Sequence, residues 1–335
     1  MRRRPGGVAR FAILLTPNAS PSDAPVHAEG SLTLLRLPRR ATVRSEIAVR
    51  TQDRMVRLRD GRRLGYAEYG DPDGAPVLFF HGLGTTRVIC PPDDGTALRQ
   101  GVRLVAVDRP GIGISDRRPG RRLLDWPDDV VQLANHLAID RFAVVGWSGG
   151  GPYAAACGYL LPNRVTRVGM VSSPAPLLGV PEADYLLRFH RTAARAAGRA
   201  PWMIRLALWH WGRPQRRDPA RFFDRSVASM SGPDQSVLAE PALRFAMIEN
   251  SGELFRQGGR GLYDEALVLA RRWGFDPSDI RVPVFIWHGE MDETVPVRMA
   301  RYVARSVPEC QATFYPDEGH HVLYRRWPEI LDALR

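Results

Sequence analysis

The 335-residue sequence contains no lysine, so all 47 of its basic Lys-plus-Arg residues are arginines. Exclusive use of arginine is explained by a codon bias as readily as by a binding function. Much of the charge excess of +11 lies in the first 54 residues, and the cluster of Arg213, Arg216 and Arg217 has no recognisable nucleic-acid-binding module around it. We therefore expect no nucleic-acid partner.

Cysteines and long apolar runs are also scarce. Cys90, Cys157 and Cys310 lie far apart without a CxxC pair, which argues against a disulfide framework or a zinc site and fits a reducing, cytoplasmic location. No apolar run reaches the roughly 18 residues of a membrane-spanning helix, so no stable membrane insertion is expected. A P-loop, an HExxH motif and a G-x-G-x-x-G fingerprint are all missing, and we expect neither a metal nor an organic cofactor.

Residues 1–50 differ in composition from the rest of the chain. Three arginines (Arg2–Arg4) precede a short apolar stretch, Phe11–Leu15, and a segment rich in Pro, Ser and Ala. The apolar stretch is too short for the core of a signal peptide. The pattern favours a disordered tail, or an extension upstream of the true start, with Met55 opening the first convincing structural segment.

Short apolar runs predict a buried sheet in the remainder. Two β-rich segments flank the hairpin signal Asp60-Gly61. Further runs are Val77–Phe80, Leu104–Val107, Phe142–Val145, Val168–Val171 and Val284–Trp287. Strands that are apolar on both faces indicate a parallel sheet covered by helices. Alternating strands and helices give an α/β class with right-handed crossovers.

The alternation stops between about residues 174 and 279, where only helix-like segments occur: Asp184–Ala197, Met203–Trp211 and Pro219–Met230. A strand then resumes at residues 282–287. The economical interpretation is a helical insertion between two strands of one sheet. We therefore predict a core made of residues 51–174 and 276–335, and a helical cap at 175–275.

The most specific motif is the run Gly146–Gly150, with sequence GWSGG, which follows a predicted strand and precedes a predicted helix. A G-x-S-x-G motif in this context holds its serine on a sharp, strained turn, so we predict Ser148 as a nucleophile. The residues two before and two after the serine pack closely and must be small, as Gly146 and Gly150 are. A glycine-rich turn that opens a helix without chemistry is the plainer alternative.

A serine hydroxyl needs a base to accept its proton, and the base needs an orienting acid. Asp292 follows the strand that ends at Trp287, and Gly319-His320 follows a strand-like run at Ala312–Tyr315. Active groups of parallel sheets collect at the carboxyl ends of the strands. We predict Asp292 as the acid and His320 as the base. Glu290 and Glu293 are rival acids, His321 is a rival base, and Asp292 could instead only cap the helix after it.

Two backbone N–H groups are predicted to bind the developing oxyanion. Gly149 offers one beside a helix start, where partial positive charge favours an anion. The loop after the strand Val77–Phe80 reads His81–Gly84, and the N–H of Leu83 is the second candidate. His81 itself is expected to shape this loop, and the segment Asp108–Asp116 to brace it.

Taken together, these motifs resemble the α/β-hydrolase superfamily, in particular bacterial esterase-like members with a helical cap. The matching motifs are His81–Gly84, Asp108–Asp116, Gly146–Gly150, and the pair of Asp292 and Gly319-His320. The resemblance covers roughly residues 56–334. It implies an eight-stranded, mostly parallel sheet with helices on both faces, and a cap over the active site.

The departures from related subfamilies narrow the expectation. Haloalkane dehalogenases and epoxide hydrolases carry Asp where this chain has Ser148, and proline iminopeptidases usually show Gly-Gly-Ser-Trp-Gly at this turn. The predicted function is hydrolysis of a small or medium ester-like substrate through an acyl-enzyme. Carbon–carbon or amide bond hydrolysis on the same residues, and a ligand receptor with little turnover, stay open as alternatives. Nothing in the sequence indicates an oligomeric state.

Overall fold

The computed structural model describes residues 53–90, 95–178 and 199–335. Its centre is one sheet of eight strands: β1 (Arg54–Arg57), β2 (Arg63–Gly70), β3 (Ala75–Phe80), β4 (Val102–Val107), β5 (Phe142–Trp147), β6 (Val165–Val171), β7 (Val284–Gly289) and β8 (Cys310–Tyr315). The predicted tail at residues 1–50 and the predicted helix at Asp184–Ala197 lie outside the described residues.

The spatial order of the strands is β1-β2-β4-β3-β5-β6-β7-β8. β2 pairs antiparallel with β1 and β4, and the other neighbouring strands pair in parallel. The predicted hairpin joins β1 to β2, where Gly61 adopts a φ of 88° that glycine reaches without strain. The α/β class and the mostly parallel, eight-stranded sheet are confirmed.

Helices cover both faces of the sheet: α1 (Thr96–Arg99), α2 (Trp126–His136), α3 (Gly151–Leu160), α9 (Val297–Ser306), α10 (Val322–Arg325) and α11 (Trp327–Leu334). The strand side chains alternate between two apolar layers, as a period of two requires. In β3, for example, Leu78 and Phe80 pack in the layer of α2, α3 and α9. Val77 and Phe79 pack in the layer of α1 and α11. Both faces are therefore buried.

The described helices between β6 and β7 are α4 (Pro201–Arg217), α5 (Pro219–Ala228), α6 (Gly232–Leu238), α7 (Pro241–Leu254) and α8 (Arg260–Leu269). We call residues 201–269 the helical insertion. Between residues 199 and 279 the structure contains no strand, as predicted, whereas the predicted boundaries at 175 and 275 stay predictions. β7 begins at Val284 rather than at residue 282, because Pro283 has no N–H to donate to the sheet.

The described part of the chain contains no helix long and apolar enough to cross a membrane. Cys90, Cys157 and Cys310 are all free thiols. The cytoplasmic location inferred from the cysteine count stays a prediction.

Candidate active site

Ser148 lies at the turn between β5 and α3, in a short 3₁₀ helix formed by Ser148–Gly150. Its φ is 52°, a left-handed conformation that costs a non-glycine residue roughly 1–3 kcal/mol. Such strain persists only where the surrounding structure enforces it, and it is found most often at functional sites. The side chain is partly exposed, so the hydroxyl can meet a ligand.

The glycines on either side of Ser148 are required by close backbone contacts. A Cβ on Gly146 would lie 2.3 Å from the carbonyl oxygen of Gly150. A Cβ on Gly150 would lie 2.1 Å from the carbonyl oxygen of Phe80, at the end of β3. The expectation that the two glycines pack against each other therefore holds for Gly146, whereas Gly150 is needed because the turn packs against β3.

The structure brings His320 to Ser148 and Asp292. The Nε2 atom of His320 lies 3.0 Å from Ser148 Oγ, and its Nδ1 atom lies 2.8 Å from Asp292 Oδ2. These distances match a hydroxyl that donates to a neutral imidazole and an imidazole N–H that donates to a carboxylate. Both side chains are buried, at 7% exposure for His320 and 0% for Asp292. The rival base His321 instead has its Nδ1 3.0 Å from Asp234 Oδ1.

Asp292 follows β7 and is fixed by its own loop. Its Oδ1 atom accepts the N–H groups of Thr294 and Val295 at 2.8 and 2.7 Å. Its Oδ2 atom faces His320, and also the Nε2 atom of His288 at 3.3 Å. The carboxylate therefore does not cap α9, whose N-cap residue is Pro296 and which has no side-chain cap; it holds the loop before that helix and contacts the imidazole. The rival acids Glu290 and Glu293 are exposed.

The charges of this cluster shift the protonation equilibria in opposite directions. Burial by itself would raise the pKa of Asp292, but the neighbouring His320 and His288 outweigh it and hold that pKa below its ordinary value of 3.8. Burial by itself would lower the pKa of His320, but Asp292 and then Asp234 outweigh it, and the pKa lies above 6.5. A negative carboxylate beside the ring therefore favours the protonated imidazole that forms when it accepts a proton.

The two predicted oxyanion donors lie side by side. A Cβ on Gly149 would lie 2.9 Å from the backbone nitrogen of Leu83. Gly149 is the second residue of its 3₁₀ helix, a position whose N–H has no acceptor within the helix. Within the described part of the chain, the N–H of Leu83 donates to no hydrogen-bond acceptor. Both donors are thus available to a ligand oxygen near Ser148.

The loop that carries Leu83 is braced by Arg109, as expected for the segment Asp108–Asp116. The guanidinium donates to the carbonyl oxygens of His81 and Gly82 at 2.5 and 3.0 Å. His81 is fully buried, and this burial, followed by the charge of Arg109, holds its pKa well below 6.5. His81 is therefore a neutral residue that shapes the loop.

Glu265, in α8 of the helical insertion, forms an ion pair with Arg109, and both side chains are fully buried. Removing one member of a buried pair leaves an uncompensated charge, at a cost of about 3–5 kcal/mol. We expect Glu265→Gln, which preserves the side-chain volume, to lower the free energy of unfolding by about 3 kcal/mol in urea denaturation. Asp224→Asn, which weakens the exposed Asp224–Arg244 pair, is the matched control and should cost about 0.5 kcal/mol or less. Equal losses in both variants would contradict this.

Three contributors were missed by the sequence analysis. His288 supports Asp292, Glu265 supports the oxyanion loop through Arg109, and Asp234 contacts the histidine loop. Only His288 has a signal in the sequence, because it lies at a strand end four residues before Asp292. Across the described ranges, no group of three or more His, Cys, Asp and Glu side chains has a geometry that could hold a metal ion.

Comparison with known proteins places the chain in a family. A model of the "Alpha/beta hydrolase family" matches residues 77–333. A bifunctional esterase/perhydrolase of Acinetobacter calcoaceticus is 26% identical over 275 residues, covering 79% of this chain and 92% of the relative. The dihydrolipoyllysine-residue acetyltransferase component of the acetoin cleaving system of Pseudomonas putida is 27% identical over 273 residues, or 78% of this chain, which spans only 63% of that relative's length.

Solved structures show the same fold. The crystal structure of an esterase from Rhodococcus sp. ECU1013 superposes with a TM-score of 0.61 at 19% identity, covering 84% of this chain and 98% of that one. At this identity the likeness concerns the fold alone. Because the family model spans most of the chain, from β3 to the last helix, the protein belongs to the alpha/beta hydrolase family.

Proposed function

We propose that this hydrolase cleaves a small or medium ester-like substrate through an acyl-enzyme formed on Ser148. The observation that carries the proposal is the continuous hydrogen-bonded chain from Ser148 Oγ through His320 to Asp292, at 3.0 and 2.8 Å. Each of the three residues suits its proposed role. The serine hydroxyl is partly exposed and can meet a substrate, the imidazole lies within hydrogen-bonding distance of that hydroxyl, and the carboxylate that orients the imidazole is buried.

In the first half-reaction, Ser148 Oγ attacks the carbonyl carbon of the ester while its proton passes to Nε2 of His320. The carbonyl oxygen becomes negative and accepts the N–H groups of Leu83 and Gly149. When the tetrahedral intermediate collapses, the bond to the leaving alcohol breaks. That alcohol takes the proton from His320 Nε2, and the acyl group stays on Ser148.

In the second half-reaction, His320 accepts a proton from a water molecule, whose oxygen attacks the acyl carbon. The bond to Ser148 then breaks, the serine regains its proton from His320, and the carboxylic acid leaves. Throughout, Asp292 accepts the Nδ1–H of His320, which fixes the tautomer with a free Nε2 and stabilises the imidazolium. Asp292 stays ionised throughout, His320 alternates between its neutral and protonated forms, and Ser148 ends with its proton restored.

The helical insertion serves as a cap in this proposal, since it contacts the loops that carry Leu83, Ser148 and His320. Trp211 packs against Gly84, Leu269 against Gly149, and Asp234 against Gly319. A Cβ on each glycine would lie 3.2 Å from Trp211, 3.0 Å from Leu269 and 2.4 Å from Asp234, respectively. Leu269 and Trp211 are apolar, so the substrate groups beneath them are expected to be apolar as well. A site roofed in this way admits a small or medium molecule rather than an intact protein.

The test is an assay of p-nitrophenyl esters of increasing acyl length, run beside the matching p-nitroanilides and a fluorophosphonate probe. We expect many turnovers per protein on esters, slower cleavage of the anilides, and a probe adduct on Ser148 located by peptide mass spectrometry. Adduct formation without turnover would identify a receptor and contradict the proposal. Faster cleavage of the anilides would contradict the choice of bond.

A further inference from the structure

Asp234 lies in the first turn of α6, in the helical insertion, yet its carboxylate faces the loop of the two histidines. Its Oδ1 atom accepts the backbone N–H of His321 at 2.8 Å and lies 3.0 Å from the Nδ1 atom of that ring. Its Oδ2 atom accepts the backbone N–H of His320 at 3.1 Å and the hydroxyl of Ser231 at 2.9 Å. One buried carboxylate thus binds four donors, three of which belong to the loop of the proposed base.

The position of Asp234 in its own helix does not explain this arrangement. An acidic residue in the first turn usually accepts backbone N–H groups of that turn, or completes a capping box with a serine three residues earlier. Here Ser231 precedes α6 but makes no side-chain cap, and its hydroxyl donates to Asp234 instead. The carboxylate is therefore directed at the histidine loop, where it replaces water as the acceptor for buried N–H groups.

Gly319 is shaped to admit this carboxylate. A Cβ on Gly319 would lie 2.4 Å from Asp234 Oδ2 and 2.6 Å from Oδ1. The contact that leaves no room for a side chain at Gly319 is therefore with Asp234, and the bare backbone of the loop and the carboxylate of the insertion fit each other.

The same contacts constrain the ring that faces Ser148. The peptide N–H of His320 donates to Asp234, and its carbonyl oxygen accepts the indole N–H of Trp147 at 3.2 Å. Held on both sides, the backbone of His320 has little freedom to move its Nε2 away from the hydroxyl. A base that is misplaced by even 1 Å can lose about a hundredfold in rate.

The charge of Asp234, like its contacts with the backbone, favours the role of His320 as the base. The titratable groups that contact His320 are Asp292 from the loop after β7, Asp234 from α6, and His321 from its own segment. Beyond them, His288 at the end of β7 contacts Asp292, and Tyr324 contacts His321. Asp292 and Asp234 are the two carboxylates among them, and both raise the pKa of His320. The carboxyl of Asp234 is ionised at neutral pH, because the hydrogen bond and charge of His321 outweigh its burial and hold its pKa at about 2.

We infer that Asp234 is a positioning residue for the base: a second carboxylate, supplied by the helical insertion, that holds the His320–His321 loop in place over Ser148. This inference rests on the proposed function of Ser148 and His320. Asp292 contacts the imidazole from the core, whereas Asp234 contacts the main chain on either side of it. The position of the base therefore depends, through the side chain of Asp234, on how the insertion packs against the core.

The test compares wild type with Asp234→Asn, which keeps the shape of the side chain and removes its charge. We expect kcat/KM on a p-nitrophenyl ester to fall about tenfold to a hundredfold, mostly in kcat, because the base is less well placed. The base must be neutral, so activity should be lost below the pKa of His320, which lies above 6.5 in the wild type. Removing a negative charge destabilises the imidazolium, and the acidic limb should move to lower pH by roughly half a unit or more.

Asp218→Asn is the matched control, because Asp218, like Asp234, lies at the start of an insertion helix, but it caps that helix by accepting the N–H of Arg221 at 3.0 Å. This variant should leave both kcat/KM and the acidic limb at wild-type values. His321→Gln is a second variant, which removes the ring but keeps the charge of Asp234, so its acidic limb should move less than that of Asp234→Asn. An acidic limb of Asp234→Asn that coincides with the wild type would overturn the inference, as would an equal displacement in Asp218→Asn.

A readout without turnover separates this inference from the proposed function. In proteins that carry Ser148→Ala, the titration of the His320 ring is followed by NMR with and without Asp234→Asn, and the resonance is assigned through a His320→Gln variant. A lower imidazole pKa in the Asp234→Asn protein supports the role of Asp234, and an unchanged pKa overturns it. Failure of wild-type Ser148 to react with a fluorophosphonate would instead contradict the proposed nucleophile, whatever the titration shows.

Discussion

Ser148→Ala is expected to lower kcat by roughly four to six orders of magnitude on any ester that the wild type cleaves. In the proposed mechanism, the change removes the atom that forms the covalent bond to the acyl group. Ser148 is partly exposed and its hydroxyl contacts the ring of His320, so replacing that hydroxyl with hydrogen removes little buried packing. Alanine has the same difficulty as serine at a φ of 52°. The free energy of unfolding should therefore stay within about 0.5 kcal/mol of the wild type.

Ser172→Ala is the matched control for this substitution. Ser172 follows β6, the neighbour of β5, and is also held at a positive φ, of 46°. Its buried hydroxyl has no hydrogen-bond partner among the described residues. Activity should remain within about twofold of the wild type. If Ser148→Ala kept even a tenth of the wild-type kcat, the assignment of the nucleophile would be wrong.

Asp292→Asn is the second large effect, with an expected fall in kcat of about 10⁴-fold. The carbonyl oxygen of asparagine can keep the two N–H groups of Thr294 and Val295, so the loop is expected to retain its shape. The amide NH₂ then faces Nδ1 of His320, which can accept only if its proton moves to Nε2. A ring protonated at Nε2 cannot take the proton of Ser148. The measurement is kcat on the same ester, together with the rate of fluorophosphonate labelling.

Glu290→Gln is the control, because Glu290 is the rival acid, lies two residues earlier, and pairs at the surface with Arg301 at 2.5 Å. Its substitution should change kcat by less than about twofold, in line with the small worth of exposed ion pairs. If the loss appeared in Glu290→Gln and was absent from Asp292→Asn, the assignment of the orienting acid would have to be exchanged between the two.

The fold could be predicted from the sequence because each buried strand is a local apolar run. A strand covered on both faces needs apolar residues at successive positions, and Val77–Phe80 and Phe142–Val145 show this without reference to any partner. The turn at Ser148 could be predicted for a similar reason. Its glycines are demanded by contacts within a few residues or with the neighbouring strand, and they leave a short signature in the chain.

The supporting residues left no such signature. Asp234 is 86 residues from His320 along the chain, and Glu265 is 156 residues from Arg109. In the sequence, each is an acidic residue in a helical segment, a position that is normally exposed to solvent. Only the folded chain shows that each meets a buried donor of the core. The sequence predicted His320 as the base but left His321 as a rival, and in the structure the ring of His321 contacts Asp234 whereas that of His320 contacts Ser148.

The insertion acids Asp234, Asp264 and Glu265 pair respectively with His321, Arg117 and Arg109 of the core, and this has a consequence for engineering. A transplanted insertion that lacked an acid at the position of Glu265 would leave Arg109 as a buried, uncompensated charge. Altered substrate preference is therefore better sought by changing apolar side chains such as Leu269 and Trp211 within the native insertion. The three acids should be kept as fixed points of attachment.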